Sequence, residues 1–266
     1  MNPLTGPAKD WLRRLNAGRT VREPAARLLC FPHGGGSANY FAPLARELPA
    51  SLDVLGVQYP GRQDRRTEPV LDDVRELARR VTDVLAEQPP QPTVFLGHSL
   101  GAYVAFEVMH DLQRRSLPLP ACLLVSSQGA PRAWRWRERA YELSDEVIVG
   151  HVRRMTRAEL PELDDPEVLS VLLPVLRGDF KAADTYQATV EQRLSCPISC
   201  YLGEEDDYVR RQDTELWREE TTGETRLKLF PGGHFYLDAR IPEVAAAMTA
   251  DIDEFLEAAT PTGHGA

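Results

Sequence analysis

A serine between small residues, a histidine in a late glycine turn and a run of acids between them are the residues of this chain that could share one piece of chemistry. Gly97-His98-Ser99-Leu100-Gly101 directly follows the apolar run Thr93-Val94-Phe95-Leu96. It has the G-x-S-x-G form of a nucleophile elbow, in which a sharp strand-to-helix turn lifts a serine hydroxyl above a sheet and small flanking residues avoid a clash. Three fixed positions are a modest signal alone, and the context strengthens it. A β-branched and aromatic run precedes the elbow, and Val104, Ala105, Val108, Met109 and Leu112 follow at helical spacing.

A serine needs a histidine to take its proton and a carboxylate to orient that histidine. Of the six histidines, His98 sits inside the elbow with its ring expected to point away from the serine, and His110 falls in the following helix. His264 is in a Gly/Pro-containing tail, His151 stands beside Arg153 and Arg154 on what reads as a solvated helix face, and His33 is in an early glycine-rich loop. His234, in Phe230-Pro231-Gly232-Gly233-His234-Phe235, follows the last strand-like run, where the histidine of an α/β-hydrolase comes in chain order. The acid should end a strand between Ser99 and His234. Ile198 to Leu202 reads as that strand, and Gly203-Glu204-Glu205-Asp206-Asp207 follows it; the alternative position after strand Ala121 to Ser126 has no acid as far as Ala133. For the oxyanion, Pro32-His33-Gly34-Gly35-Gly36 follows an early strand and leaves its backbone N–H groups uncovered. Gly34 is the expected donor there, with Leu100 after the serine as the second.

With these pieces placed, the sequence resembles the type II thioesterases, the free-standing editing thioesterases of polyketide and nonribosomal peptide synthesis, which are α/β-hydrolases. The resemblance spans nearly the whole chain. It rests on Cys30 to Gly36, on Gln58-Tyr59-Pro60-Gly61-Arg62 with Asp64 and Arg65, on the elbow, on Gly203 through Asp206, on Trp217 and on Phe230 to Phe235. The family's Gly-x-x-Asp pattern falls on Asp206. Asp207 stands where the family often has Pro and is the runner-up, and Gly34 stands where Ala is common, which predicts a more flexible loop. The resemblance implies hydrolysis of an acyl thioester on the phosphopantetheine arm of an acyl or peptidyl carrier protein, removing short or aberrant acyl groups through a Ser99-His234-Asp206 triad and an acyl-enzyme. It implies no metal and no cofactor. The triad alone suits a small-ester esterase equally, and a non-catalytic carrier-protein binder is the reading from another class.

The elements that must position these groups alternate as a parallel sheet requires. Strands are predicted at 26–31, 54–58, 93–98, 121–126, 197–202 and 226–230, and helices at 39–48, 71–87, after Ser99, near Trp217 and from Pro242 to Ala258. Residues 130–194 read as a helical lid inserted in a single domain of residues 1–266. Asp165-Pro166 is an N-cap with proline at the first helical position, and Val168, Leu169, Leu172, Leu173 and Leu176 follow as an apolar stripe. The fold expected is therefore α/β, a mostly parallel sheet flanked by helices.

Composition bounds the partners. At 266 residues with 42% hydrophobic content the chain can bury a large core. A net charge of −9 and a pI near 5.3 make nucleic acid and anionic membranes poor partners. With no long apolar run and no signal-peptide core, a cytoplasmic protein is expected, as a monomer. Cys30, Cys122 and Cys200 lie in strand-like runs and Cys196 at a strand entrance, which reads as structural burial. An acidic carrier protein would need a basic surface, for which Arg132, Arg135, Arg137 and Arg139, interleaved with Trp134 and Trp136, and Arg153, Arg154 and Arg157 are the candidates.

Overall fold

The computed structural model describes residues 4, 6–19, 21–133, 139–188 and 193–259. Trp134, Arg135, Trp136, Arg137 and His264, named above, lie outside the described residues. Seven strands form one sheet: β1 (Leu12–Arg14), β2 (Ala26–Phe31), β3 (Leu52–Val57), β4 (Thr93–His98), β5 (Leu123–Ser126), β6 (Ile198–Gly203) and β7 (Thr225–Phe230), in the order β1-β3-β2-β4-β5-β6-β7. All neighbours are parallel except β1, which runs antiparallel to β3. The helices are α1 (Ala8–Trp11), α2 (Ala42–Glu47), α3 (Val74–Ala86), α4 (Leu100–Arg114), α5 (Asp145–Thr156), α6 (Pro166–Thr185), α7 (Arg211–Glu215), α8 (Tyr236–Ala239) and α9 (Ile241–Ala259). Among the described residues no helix is long and apolar enough to cross a membrane.

Strand alternation divides the core into two layers. Leu29, Phe31, Leu55 and Phe95 point to the face covered by α3 and α4, while Leu28, Cys30, Val54 and Leu96 point to the face covered by α2 and α9. Burial on both faces explains why these strands read as nearly continuous apolar runs. The four cysteines are buried, unpaired thiols, and burial pushes the Cys196 thiol up to about 12.

Several predicted boundaries move for local reasons. Pro43 starts α2 late, so the helix expected over 39–48 is a 3₁₀ turn (Ala38–Phe41) followed by α2. The helix expected from Leu71 begins at Val74, because Asp73 caps it by accepting from the Glu76 N–H at 2.8 Å. Strand β1 was not predicted. It is three residues long and carries two arginines, and Arg14 pairs with Asp53 on β3 at 2.6 Å.

The chain leaves β2 for β3 on one side and returns to β4 on the other, so β2 and β4 flank a point where the strand order reverses. In open parallel sheets, ligands bind at the carboxyl ends of strands at such a point. The register pairs Phe31 with Gly97, so the chain after β2 and the serine turn after β4 emerge side by side. Helix α4 starts so close to β2 that a Cβ on Gly101 would lie 2.0 Å from the Phe31 carbonyl oxygen, and one on Gly97 would lie 2.4 Å from Ala102 Cα.

Gly101→Ala is therefore expected to cost about 3 kcal/mol or more, because backbone cannot yield as a side chain does. Gly150→Ala, inside α5 with only the Arg154 tip nearby at 3.8 Å, should gain about 0.5–1 kcal/mol. Urea midpoints of the two variants should move in opposite directions; parallel shifts would contradict the assigned contacts.

Candidate active site

Ser99 leaves the end of β4 with φ 52° and ψ −121°, a conformation that a non-glycine residue adopts only when its surroundings enforce it. The enforcing contacts are the glycines on either side. Leu100 begins α4, and neither its N–H nor that of Gly34 is taken by an acceptor among the described residues.

Asp206 and His234 follow the two adjacent strands β6 and β7, and backbone bonds knit their loops together: the Glu204 N–H donates to the Phe230 carbonyl at 2.8 Å and the Glu205 N–H to the Gly232 carbonyl at 2.9 Å. The result brings His234 Nδ1 to 2.9 Å from Asp206 Oδ2. The Asp206 side chain is fully buried, and its other oxygen accepts from the Tyr208 and Val209 N–H groups at 2.9 and 3.1 Å. Those bonds leave its carboxylate one orientation. Asp207, the runner-up, instead points outward, 77% exposed and paired with Arg157. No hydrogen bond joins the Ser99 hydroxyl to the His234 ring among the described residues; such contacts commonly tighten only with substrate.

Ser99 and His234 border two cavities. One, of about 310 Å³, runs from Gly34, Gly35 and Leu100 to an apolar wall from α5 and α6 that includes Met155, Leu172, Leu176 and Phe180. The other, of about 360 Å³, is bordered by Gln128, His151, Tyr208 and Asp184. Met155, Phe180 and Ala183 border both cavities. A larger groove of about 970 Å³, beside Arg14, Arg27 and Asp53, lies at the amino ends of the strands, the end of the sheet opposite Ser99.

The remaining histidines have other partners. His98 Nδ1 is 2.9 Å from Ser126 Oγ, which in turn is 2.8 Å from Tyr236 Oη. His33 packs edge-on against Tyr40 and Phe235 with its Nδ1 enclosed. His151 corrects the solvated-face reading. It is half-buried, because α5 lies across the second cavity and turns the Ile148, His151 and Met155 face inward. That i, i+3, i+7 spacing was the available signal. A second group went unnoticed: Asp179 on α6 is buried against Arg62 and the Gly34-Gly35 turn. It continues the stripe Leu169, Leu172, Leu176 by three residues, and a carboxylate on an apolar stripe was the clue. Among the described residues no cluster of histidine, cysteine and acid side chains could hold a metal ion.

Comparison with known proteins places this geometry among relatives. The sequence model of a family described as "Thioesterase domain" matches residues 26–252. The chain is 40% identical to thioesterase PikA5 of Streptomyces venezuelae over 245 residues, covering 91% of this chain and 85% of that protein. It superposes on the type II thioesterase BorB from the borrelidin biosynthetic cluster with a TM-score of 0.83 at 38% identity, covering 96% of this chain and all of that one. RedJ, a thioesterase from the prodiginine pathway of Streptomyces coelicolor, aligns with a TM-score of 0.79 at 31% identity over 86% of each chain.

Burial drives the His33 pKa down to about 3, helped by the charges of His234 and Arg62, and holds His98 well below its ordinary value. Each folded value lies below the unfolded one of about 6.5, so the stability these rings contribute is complete above pH 6.5 and is lost as pH falls, for His33 toward about 3. Replacing His33 by Gln should flatten the stability slope between pH 6 and 4.5 by up to one proton, about 1.4 kcal/mol per pH unit. Urea titrations at several pH values measure this, and equal slopes would count against a neutral His33 in the folded chain.

Proposed function

Because the chain belongs to the thioesterase family, as a type II thioesterase of polyketide and nonribosomal peptide pathways with the α/β-hydrolase fold, we propose that it hydrolyses acyl thioesters on the phosphopantetheine arm of a carrier protein. Its task is removal of short or aberrant acyl groups. The observation that carries this reading is the position of Ser99 and His234 between an apolar cavity suited to an acyl chain and a more polar one suited to a pantetheine arm.

In the proposed mechanism Asp206 orients His234 through Nδ1, and Nε2 takes the Ser99 proton as the hydroxyl oxygen bonds to the thioester carbonyl carbon. The Gly34 and Leu100 N–H groups hold the oxyanion. As the C–S bond breaks, the His234 proton passes to the departing thiol. Water, deprotonated by His234, then attacks the acyl-serine, and the acid leaves as Ser99 regains its proton. Residues 130–194 act as the lid within one catalytic domain, with α5 and α6 as the walls of the acyl chamber.

Ion pairing narrows the carrier-docking surface. Arg132 is held by Glu219 and Glu220, Arg139 by Glu142, Arg153 by Asp164 and Arg157 by Glu205 and Asp207. Arg154 is exposed and has no carboxylate partner among the described residues. It meets His151 Nδ1 at 3.0 Å and the Tyr208 hydroxyl at 3.4 Å, at the rim of the second cavity. It is the arginine we assign to the acidic carrier.

Ser99→Ala and His234→Ala should each lose roughly 10³-fold or more in kcat on an acyl-N-acetylcysteamine, and the double variant hardly more, since the two act as one unit. Asp206→Asn should lose roughly 10²-fold or more while Asp207→Asn stays near wild type. Faster turnover of the matching p-nitrophenyl ester would favour an esterase, and additive losses would contradict a shared role.

Arg154→Glu is expected to raise KM for an acyl-carrier protein by roughly fivefold or more, with the small thioester unaffected and the gap narrowing as salt screens the pair. Steady-state kinetics on both substrates test this. Equal losses on the two would place Arg154 in the pocket rather than at the carrier interface.

A further inference from the structure

We propose that Asp179, held by Arg62, is the positioning residue of the oxyanion loop, so that the competence of the Gly34 N–H is set by a side chain of the helix that also walls the acyl chamber. This rests on the thioesterase reading above and adds to it a residue outside the Ser99-His234-Asp206 set.

The loop has little conformational preference of its own. The Gly36 N–H donates to the His33 carbonyl at 2.9 Å, closing a four-residue turn whose central residues are both glycine, with Gly35 at φ 79°. A positive φ at the third position marks a type II turn, and a type I turn differs from it mainly by a flip of the central peptide. Gly-Gly admits both forms, and the flip exchanges the directions of the Gly34 carbonyl and the Gly35 N–H, so it decides which group of the central peptide stands next to the Gly34 N–H. Selection must therefore come from outside the loop.

Asp179 supplies it. Its Oδ2 accepts from the Gly35 N–H, the donor of that central peptide, at 2.6 Å. Arg62 holds the carboxylate with two parallel bonds, Nη1 to Oδ2 at 2.7 Å and Nη2 to Oδ1 at 2.9 Å, and Nη1 also donates to the Gly36 carbonyl at 3.2 Å. Carboxylate and guanidinium thus grip the turn at consecutive residues. The Asp179 side chain is completely buried and that of Arg62 nearly so. An ion pair this deep adds little net stability compared with apolar residues of the same shape, so its bond to the loop is the feature for which stability gives no account. Leu176, one turn earlier on α6, closes the remaining freedom: a Cβ on Gly35 would meet its Cδ2 at 2.7 Å.

The test compares Arg62→Met/Asp179→Leu with Arg62→Met/Asp179→Asn. Both remove the ion pair, and only the second keeps an acceptor for the Gly35 N–H. With acyl-N-acetylcysteamine, the leucine variant should lose about 10²-fold in kcat, the order seen when one oxyanion donor is lost, with KM within about threefold of wild type. The asparagine variant should recover most of that loss at a similar melting temperature. Labelling of Ser99 by a serine-directed phosphonate should slow in parallel with kcat, because its transition state places an oxygen in the same hole. Equal kcat values in the two variants would overturn the proposal, as would failure of both to fold, which would make the pair a folding element. A Ser99→Ala variant that kept full activity would instead overturn the thioesterase mechanism itself.

Discussion

The close approach of α4 to the end of β2 is the contact on which the site depends. Gly101 lies against the Phe31 and Pro32 carbonyls, and that approach is open only to a residue without a Cβ. It forces the chain to turn through Ser99 at positive φ, with α4 beginning at the next residue. It also brings the 33–36 turn alongside, because β2 and β4 are paired up to Phe31 and Gly97. Ser99 and the Leu100 amide are thus placed, and the 33–36 turn is brought beside them, by one backbone contact.

The other half of the site is built independently and is joined through the sheet. Strands β6 and β7 bring the Asp206 and His234 loops together as a hydrogen-bonded pair, and the Ser127 hydroxyl, after β5, ties the His234 carbonyl to the neighbouring strand end at 2.9 Å. Rigid strands fix these loops at one edge, so the geometry tolerates wide sequence change elsewhere. That is consistent with a TM-score of 0.83 at only 38% identity to BorB.

What the sequence made legible follows from the range of each interaction. The elbow, the strands and the Asp165-Pro166 helix start are local patterns, and all appear within a few residues of their predicted places. Four consecutive acids could not be told apart by composition; only the Gly-x-x-Asp resemblance singled out Asp206, the acid that the backbone of Tyr208 and Val209 turns toward His234. The features that escaped are long-range. Strand β1 exists because Leu12 reaches Val57 on β3, Asp179 finds Arg62 across 117 positions, and Arg132 and Arg153 are paired with acids on other elements. Charge pairing of this kind leaves no period in the sequence. His151 is the intermediate case, since its helical face was readable but the cavity below it was not.

Helix α6 borders the apolar cavity and the 33–36 turn at once, which on the proposed mechanism would link substrate choice to catalysis. Leu172, Leu176 and Phe180 form the wall an acyl chain would touch, while Asp179 and Leu176 bear on Gly35 from the same turns of the same helix. A chain that displaced α6 outward would lengthen the Asp179 bond to the Gly35 N–H before it reached Ser99, and the Gly-Gly turn would have no internal preference to hold it. One that fitted without displacing α6 would leave the Gly34 and Leu100 amides in place. On the proposed mechanism the fit of the chain would be transmitted to the Gly34 amide, so discrimination among acyl groups would act at the transition state as well as on binding.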